Sequence, residues 1–309
     1  MADNSNSTHH TAPTCTSSAT VPLLAASTAT VLGGSMAVGT RYVMAEIEPA
    51  TFAIWRTGLS FLTLLPALMT LDRPRFHLRD AVMMGMFGGG FFAFFNIAFA
   101  AALQYTTAAM GALILALAPT FTLFVAAARG QESFTLSKLS AAALSFLGVG
   151  IVVADGSQNA AEGSLFGNFL LLGVTLSVAF FNVFSKPFFQ RYAPLHVSVY
   201  YMGLGCLILT LANFMLNWAP TVPVLSDTGW WYLVYLGTVG GALPALLFHW
   251  ALSRMEASRV TVTLGLAPVS AAILGAVLLG ETPPWSYGVG LLAVVAGVSF
   301  SSKARHATR

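Results

Sequence analysis

Residues 102–119 read ALQYTTAAMGALILALAP, and residues 251–268 read ALSRMEASRVTVTLGLAP. At an offset of 149 both stretches open on Ala-Leu, set Ala108 over Ala257 and Leu115 over Leu264, and close on Leu-Ala-Pro at Pro119 and Pro268. The register runs on to Glu132 over Glu281 and Gly148 over Gly297. Upstream, an offset of 145 relates Thr40-Arg41, Pro49 and Gly58 to Ser185-Lys186, Pro194 and Gly203. The chain is therefore two halves of one plan. Pro119 and Pro268 each sit inside an apolar run, lack an N–H and crowd the carbonyl four residues earlier, Leu115 or Leu264, so a break or kink is expected at both.

What surrounds those halves follows from composition. The 309 residues are 56% hydrophobic and 8% charged, with 14 Lys+Arg against 11 Asp+Glu, whereas a soluble domain is about 25% charged. Too few ionisable side chains exist to cover a water-facing surface, so most of the exterior faces lipid. The 23 Phe, 6 Trp and 8 Tyr exclude a disordered chain. Cys15, in a polar stretch, and Cys206, in an apolar one, do not make a disulfide framework. A net charge of +3 gives no reason to expect nucleic acid as a partner.

A span needs about 20 apolar residues to cross about 30 Å of hydrocarbon. Ten segments qualify: Val21 to Thr40, Ala50 to Leu71, Ala81 to Leu103, Ala109 to Ala128, Leu139 to Ala154, Leu165 to Ser185, Leu195 to Leu216, Gly229 to Ser253, Val260 to Gly280 and Trp285 to Ser302. Lys and Arg gather on cytoplasmic loops. Here Arg73, Arg75 and Arg79, then Arg129 and Lys138, Lys186 and Arg191, Arg254 and Arg259, and Lys303, Arg305 and Arg309 fall on every second connection. Both termini are thus expected in the cytoplasm. Residues 1–20, polar and without Lys or Arg, read as a disordered cytoplasmic tail rather than a signal peptide, and residues 303–309 as a second tail. Between them lie two five-helix units, 21–154 and 165–302. An odd number of spans makes the second unit enter the membrane upside down. The expected fold is all-α, ten transmembrane helices in two inverted repeats around a central cavity, a plan that secondary transporters use for alternating access.

Side chains that could line such a cavity are few. Phe91, Phe92, Phe94, Phe95 and Phe99 crowd span three around Asn96, and Phe180 and Phe181 precede Asn182 in span six. An amide in hydrocarbon must find a partner, either another helix or a solute. Tyr200 and Tyr201 in span seven, and His249 beside Trp250 in span eight, add polar-tipped rings. Arg56 stands seven residues past Pro49, about 10 Å into span two. It reads either as a contact for a solute carboxylate or as a side chain reaching the outer interface or pairing with Glu46 or Glu48. Gly85, Gly88, Gly89 and Gly90, with Gly237, Gly240 and Gly241, offer close helix approach or a flexible gate. Trp218, Trp230, Trp231 and Trp285 sit at span edges as an interfacial belt.

The missing motifs narrow the chemistry. GxxxxGK[ST], HExxH and GxSxG do not occur, which argues against ATP-driven pumping and against membrane proteolysis. The expectation is a protein that is not an enzyme, with no catalytic residues, metal or cofactor. None of the 11 acidic residues falls in mid-span, which favours facilitated movement of a neutral or zwitterionic solute over proton-coupled efflux of cations. His249 is the residue that could restore proton coupling.

These features together resemble the EamA branch of the drug/metabolite transporter superfamily: ten spans, Pro49 and Arg56 in span two, the LALAP and LGLAP prolines, and Glu132 with Gly280-Glu281. The likeness covers residues 21 to 302. Gln131 stands where the second half has Gly280, a departure in that loop. Within the superfamily the chain is similar to bacterial inner-membrane exporters of aromatic amino acids, the YddG-like type. That resemblance implies a basket-shaped bundle with a cavity lined chiefly by spans one, three, four, six, eight and nine. It implies export of aromatic or other hydrophobic amino acids and related metabolites. Its site residues would be Phe95, Asn96, Phe99, Phe181, Asn182 and His249, with Pro119 and Pro268 as hinges; Tyr200, Tyr201, Trp250 and Arg56 complete the candidate set. A proton-coupled multidrug or metabolite antiporter is the alternative, and a membrane-embedded enzyme or scaffold ranks behind it. The partners expected are a small-molecule solute and membrane lipid. One pair of repeats suffices for a monomer, and GxxxG faces leave a dimer open.

Overall fold

The computed structural model describes residues 20–70, 76–131, 136–155, 164–217 and 222–303. Cys15, Asp72, Arg73, Arg75, Glu132, Trp218, Arg305 and Arg309, and both expected tails apart from Thr20 and Lys303, lie outside them. Among the described residues every regular element is helical. Eight helical stretches are long and apolar enough to cross a membrane. Leu136–Ala154 and Trp285–Lys303, 19 residues each, reach about 28 Å by helical rise and complete ten spans.

Span one is Thr20–Val43 and span two Pro49–Leu64, prolonged by a 3-10 stretch, Leu65–Thr70. Span three is Leu78–Met84 and Gly90–Tyr105 joined by a π-helical turn, Gly85–Gly89. Span four is Ala108–Leu115 and Ala118–Ala128, and span five is Leu136–Ala154. Span six is Ser164–Arg191 and span seven Pro194–Leu216. Span eight is Asp227–Gly237 and Leu243–Arg254 with a π turn, Thr238–Ala242, between them. Span nine is Ala257–Val262, a 3-10 turn Thr263–Leu266, and Ala267–Leu279; span ten is Trp285–Lys303.

Both proline positions interrupt their spans. The helix of span four stops at Leu115 and restarts at Ala118, and in span nine the 3-10 turn ends one residue before Ala267-Pro268. A proline at the second position of a helix gives up an N–H that has no helical partner there, which is why it starts the new segment at little cost. Pro187, in contrast, sits inside span six, and that helix continues to Arg191, six residues past the Ser185 boundary expected from hydropathy. A proline near a helix end removes only one hydrogen bond, to the carbonyl four residues back.

The exterior is apolar all round: Phe169, Phe214, Met215, Val277 and Leu292 are each more than 70% exposed. So much bare hydrocarbon is compatible with lipid and not with water. Trp231 and Trp285 are also exposed, while Trp230 turns inward and sets its ring edge-on to Trp55 at 5.7 Å.

Helices meet in matched pairs. Span one packs on eight and nine, and span six on three and four; span two packs on seven, and five on ten. Glycine permits the tightest of these approaches. A Cβ on Gly148 would lie 2.7 Å from the Gly290 carbonyl, and one on Gly290 2.5 Å from that of Gly148, so spans five and ten touch backbone to backbone. Polar bonds cross the same seams. Thr30 Oγ1 lies 3.1 Å from Thr263 Oγ1, and Ser35 Oγ 2.6 Å from Tyr235 OH. The Tyr287 hydroxyl donates to the carbonyls of Ala109 and Pro268, fastening span ten to four and nine. At the end of the bundle where span two begins, Glu46 accepts from Ser226 N and Oγ, both at 2.8 Å. Glu281 accepts from Ala108 N at 3.1 Å. Each carboxylate satisfies free N–H groups at the start of a helix.

Candidate functional site

A cavity of about 190 Å3 occupies the centre of the bundle. By the measure in which one water takes about 10–15 Å3, it has room for on the order of a dozen heavy atoms, the size of a free amino acid. Span one lines it with Ala29, Thr30, Gly33 and Met36, and span two with Arg56, Thr57 and Ser60. Phe91, Phe92, Phe95 and Asn96 come from span three, and Val178, Phe181 and Asn182 from span six. Span eight supplies Gly240, Gly241, Pro244, Ala245, Phe248 and His249; Leu115, Met202, Leu264 and Ala267 close the rest. Leu115 and Leu264 stand four residues before the two prolines, which cannot donate to them; the Leu264 carbonyl accepts from Ala267 N instead.

One wall is aromatic. Phe91 stacks on Phe181 with ring centroids 4.1 Å apart, Phe92 meets Phe181 edge-on at 6.0 Å, and Phe95 follows Phe91 at 5.4 Å. The His249 ring lies against Phe189, 4.5 Å between centroids and 21° between planes, with its Nδ1 2.7 Å from Ser198 Oγ. Stacking fixes the plane of that imidazole and the serine fixes its rotation. Ser198→Ala should therefore cost about 1 kcal/mol of stability yet leave transport within about twofold. His249→Ala should lower both melting temperature and transport, because it removes a ring from the wall. Thermal melting and flux on the two variants check this.

Four polar residues of the largely apolar lining are short of partners. Arg56 is buried; its Nη2 donates to Met36 Sδ at 2.8 Å, and its Nε has no partner. No carboxylate among the described residues pairs with it. Glu46, one of the partners expected for it, is occupied by Ser226 instead. Thr57 Oγ1 is also unpartnered. Asn96 Nδ2 donates to the Phe92 carbonyl at 2.7 Å while its Oδ1 has nothing to accept from. Asn182 is fully buried and neither amide atom has a partner. Buried polar groups are nearly always satisfied, so Arg56, Thr57, Asn96 and Asn182 stand apart from the rest of the lining.

The structure thus brings Arg56, Phe95, Asn96, Phe181, Asn182 and His249 to one cavity and places four other candidates elsewhere. Phe99 lies one turn beyond Phe95, stacked on it at 5.4 Å and packed in the core. Tyr200 donates its hydroxyl to the Ala81 carbonyl at 3.1 Å, beside Phe76. Tyr201 is wholly buried behind Phe181. Trp250 is half-buried, with the Arg254 guanidinium 4.6 Å from its ring, and does not line the cavity. Pro119 and Pro268 flank the void without lining it. Phe91 and Phe92, part of the aromatic stripe of span three, stand four residues before Phe95 and Asn96 and line the cavity with them. Ser60 is not singled out from sequence, and helical spacing carries its signal, four residues from Arg56 on one face. Among the described residues no three His, Cys, Asp or Glu side chains converge.

Comparison with known proteins fits this geometry. The model of the EamA-like transporter family matches residues 20–154 and again 165–303. An Archaeoglobus fulgidus protein named as an uncharacterized transporter is 27% identical over 271 residues, covering 87% of this chain and 91% of its own. A Streptantibioticus cattleyicolor protein named as a probable terminal-alkyne amino-acid exporter is 26% identical over 227 residues, 73% of this chain and 74% of its own. A solved crystal structure, 15% identical, superposes over 93% of this chain and 98% of its own with a TM-score of 0.70, a likeness of fold.

Proposed function

The chain belongs to the EamA-like transporter family, and from that premise we propose that it exports amino acids, aromatic or otherwise hydrophobic, with related small metabolites. The observation that carries the reading is the cavity itself: an amino-acid-sized void lined by stacked phenylalanines and by a few residues, Arg56, Thr57, Asn96 and Asn182, that hold unpartnered polar atoms. Apolar walls bind a side chain by burial and stacking, and a few placed polar groups orient the charged end. The Streptantibioticus relative, named as a probable exporter of an unusual amino acid, points the same way.

Movement is by alternating access between two inverted five-helix repeats, 21–154 and 165–302. The matched pairings of one with eight and nine, and of six with three and four, support that arrangement, since exchanging the halves exchanges the pairings. The breaks before Pro119 and Pro268, beside Leu115 and Leu264 in the cavity wall, are the hinges. The protein works as a monomer in the bacterial inner membrane with both termini in the cytoplasm. Transport is facilitative, because no acidic side chain among the described residues lines the void to exchange protons. A proton-coupled antiporter is the second reading, favoured by the place of His249 in the wall.

Uptake of a labelled amino-acid panel into proteoliposomes, with and without a pH gradient, tests both. Saturable uptake of aromatic or aliphatic amino acids, indifferent to the gradient, is expected. Accumulation driven by the gradient would give the second reading the site, and no uptake of any amino acid would remove the substrate class.

A further inference from the structure

Arg56 is the one charged side chain among the described residues that line the cavity, and nothing of opposite charge meets it. A guanidinium keeps its proton at physiological pH, so this wall carries a fixed positive charge inside the membrane. Its environment does little to offset that charge: a thioether sulfur at Nη2, an unpartnered Nε, and phenylalanines elsewhere in the lining. An intramembrane charge is expensive and normally paired. Removal from water is costly for an ion without a counter-ion, and the cost is greatest when the void is closed on both sides. The hydroxyl of Thr57, next in the chain and also unpartnered, is a second donor at the same wall. Unused acceptors lie elsewhere, at Asn96 Oδ1 and Asn182 Oδ1. Donors with a positive charge on one element, and acceptor oxygens on others, complement a molecule bearing both signs.

Resting on the exporter reading, we infer that Arg56, with Thr57, is the anchor for the carboxylate of the transported solute, which makes that carboxylate obligatory. The cation and the hydroxyl take the anionic end, since a planar fork of N–H donors matches a carboxylate. The amide oxygens take the ammonium, and the side chain lies along Phe91, Phe92 and Phe181. An amine lacking the carboxylate would add a second positive charge to a cavity that already holds one. The anchor is therefore also a filter: amino acids and carboxylic acids enter, and cationic amines do not. This is a property of one residue, separate from which amino acid the aromatic wall prefers.

The test uses three probes that share one ring and differ in charge: phenylalanine, 3-phenylpropionate and 2-phenylethylamine. Binding is read from the melting temperature of the full-length protein in detergent. Both carboxylates should bind at least about tenfold more tightly than the amine, the effect of one charge-assisted hydrogen-bond pair. In Arg56→Gln that preference should collapse to within about threefold. Arg56→Lys, which keeps the charge and loses the fork, should retain part of it and guards against a glutamine variant that does not fold. The anchor is overturned if the amine binds the wild type as tightly as phenylalanine, if neither carboxylate shifts its melting, or if the preference survives in Arg56→Gln. The two ideas fail separately. Uptake of amino acids that the amine inhibits equally well removes the anchor and keeps the exporter. Arg56-dependent binding of carboxylates without uptake of any amino acid does the reverse.

Discussion

Replacing Asn182 with leucine should raise the melting temperature and, in the same molecule, lower transport at least about tenfold. Asn182 is 0% exposed and neither of its amide atoms has a partner. A buried polar group left unsatisfied costs about 1–3 kcal/mol, and a leucine of similar volume carries no such penalty. For a chain of this size that gain amounts to about 2 °C or more. The loss of transport follows from the same atoms. If the amide holds the charged end of the solute, the leucine variant gives up one or two hydrogen bonds that a bound solute would make, and about 1.4 kcal/mol is already a factor of ten. Asn168 is the control, because its Oδ1 accepts from Thr106 Oγ1 at 3.3 Å. Asn168→Leu breaks an existing bond and should lower stability without a selective effect on flux. Melting in detergent and flux in proteoliposomes read both variants. A less stable Asn182→Leu protein would mean that the amide holds the bundle together, and unchanged flux would remove it from the solute path.

How much of this was legible beforehand depends on whether a feature is local or tertiary. The proline breaks were, because a missing N–H acts within one turn. So was the membrane fold, because it follows from composition and hydropathy. Asn96 and Asn182 were legible as amides needing partners, but whether the protein supplies those partners is decided by neighbouring helices. The structure answers differently for two amides of one type: Asn96 has its Nδ2 bonded to Phe92, and Asn182 has nothing. Arg56 shows the same limit. Its sequence left open a solute carboxylate, the outer interface or pairing with Glu46 or Glu48, and only the fold shows Glu46 turned to Ser226. Tyr200, Tyr201 and Trp250 have chemistry that suits a cavity, but chemistry does not set direction. Neighbours on a helix diverge by about 100°, so Trp250 could not share a face with His249, and the void lies on His249's side. Phe99 was within the right stripe but one turn too far along it.

The four glycines of span three make the point more sharply, since sequence treats them alike. Gly88→Ala should be severe and Gly90→Ala harmless. A Cβ on Gly88 would fall 2.1 Å from Cδ1 and Cε1 of Tyr201, whereas one on Gly90 meets nothing within 4 Å. The tyrosine has nowhere to go: it is fully buried, with Phe181 and Phe189 each 5.7 Å away and Phe92 at 6.4 Å. To make room it must push Phe181, which stacks on Phe91 in the cavity wall, so one added methyl reaches the site. Overpacking of this kind costs about 1–3 kcal/mol and occasionally more; here about 3 kcal/mol is expected, with transport falling alongside. Gly90→Ala should gain up to about 1 kcal/mol from helix propensity. Trimming the obstacle should repair the first variant. Gly88→Ala combined with Tyr201→Leu should melt higher than the sum of the single changes predicts, the sign of direct contact. Equal damage from Gly88→Ala and Gly90→Ala, with no rescue, would instead mean that the π turn at Gly85–Gly89 needs glycine for its flexibility, and the close fit of spans three and seven would not be the reason these residues are there.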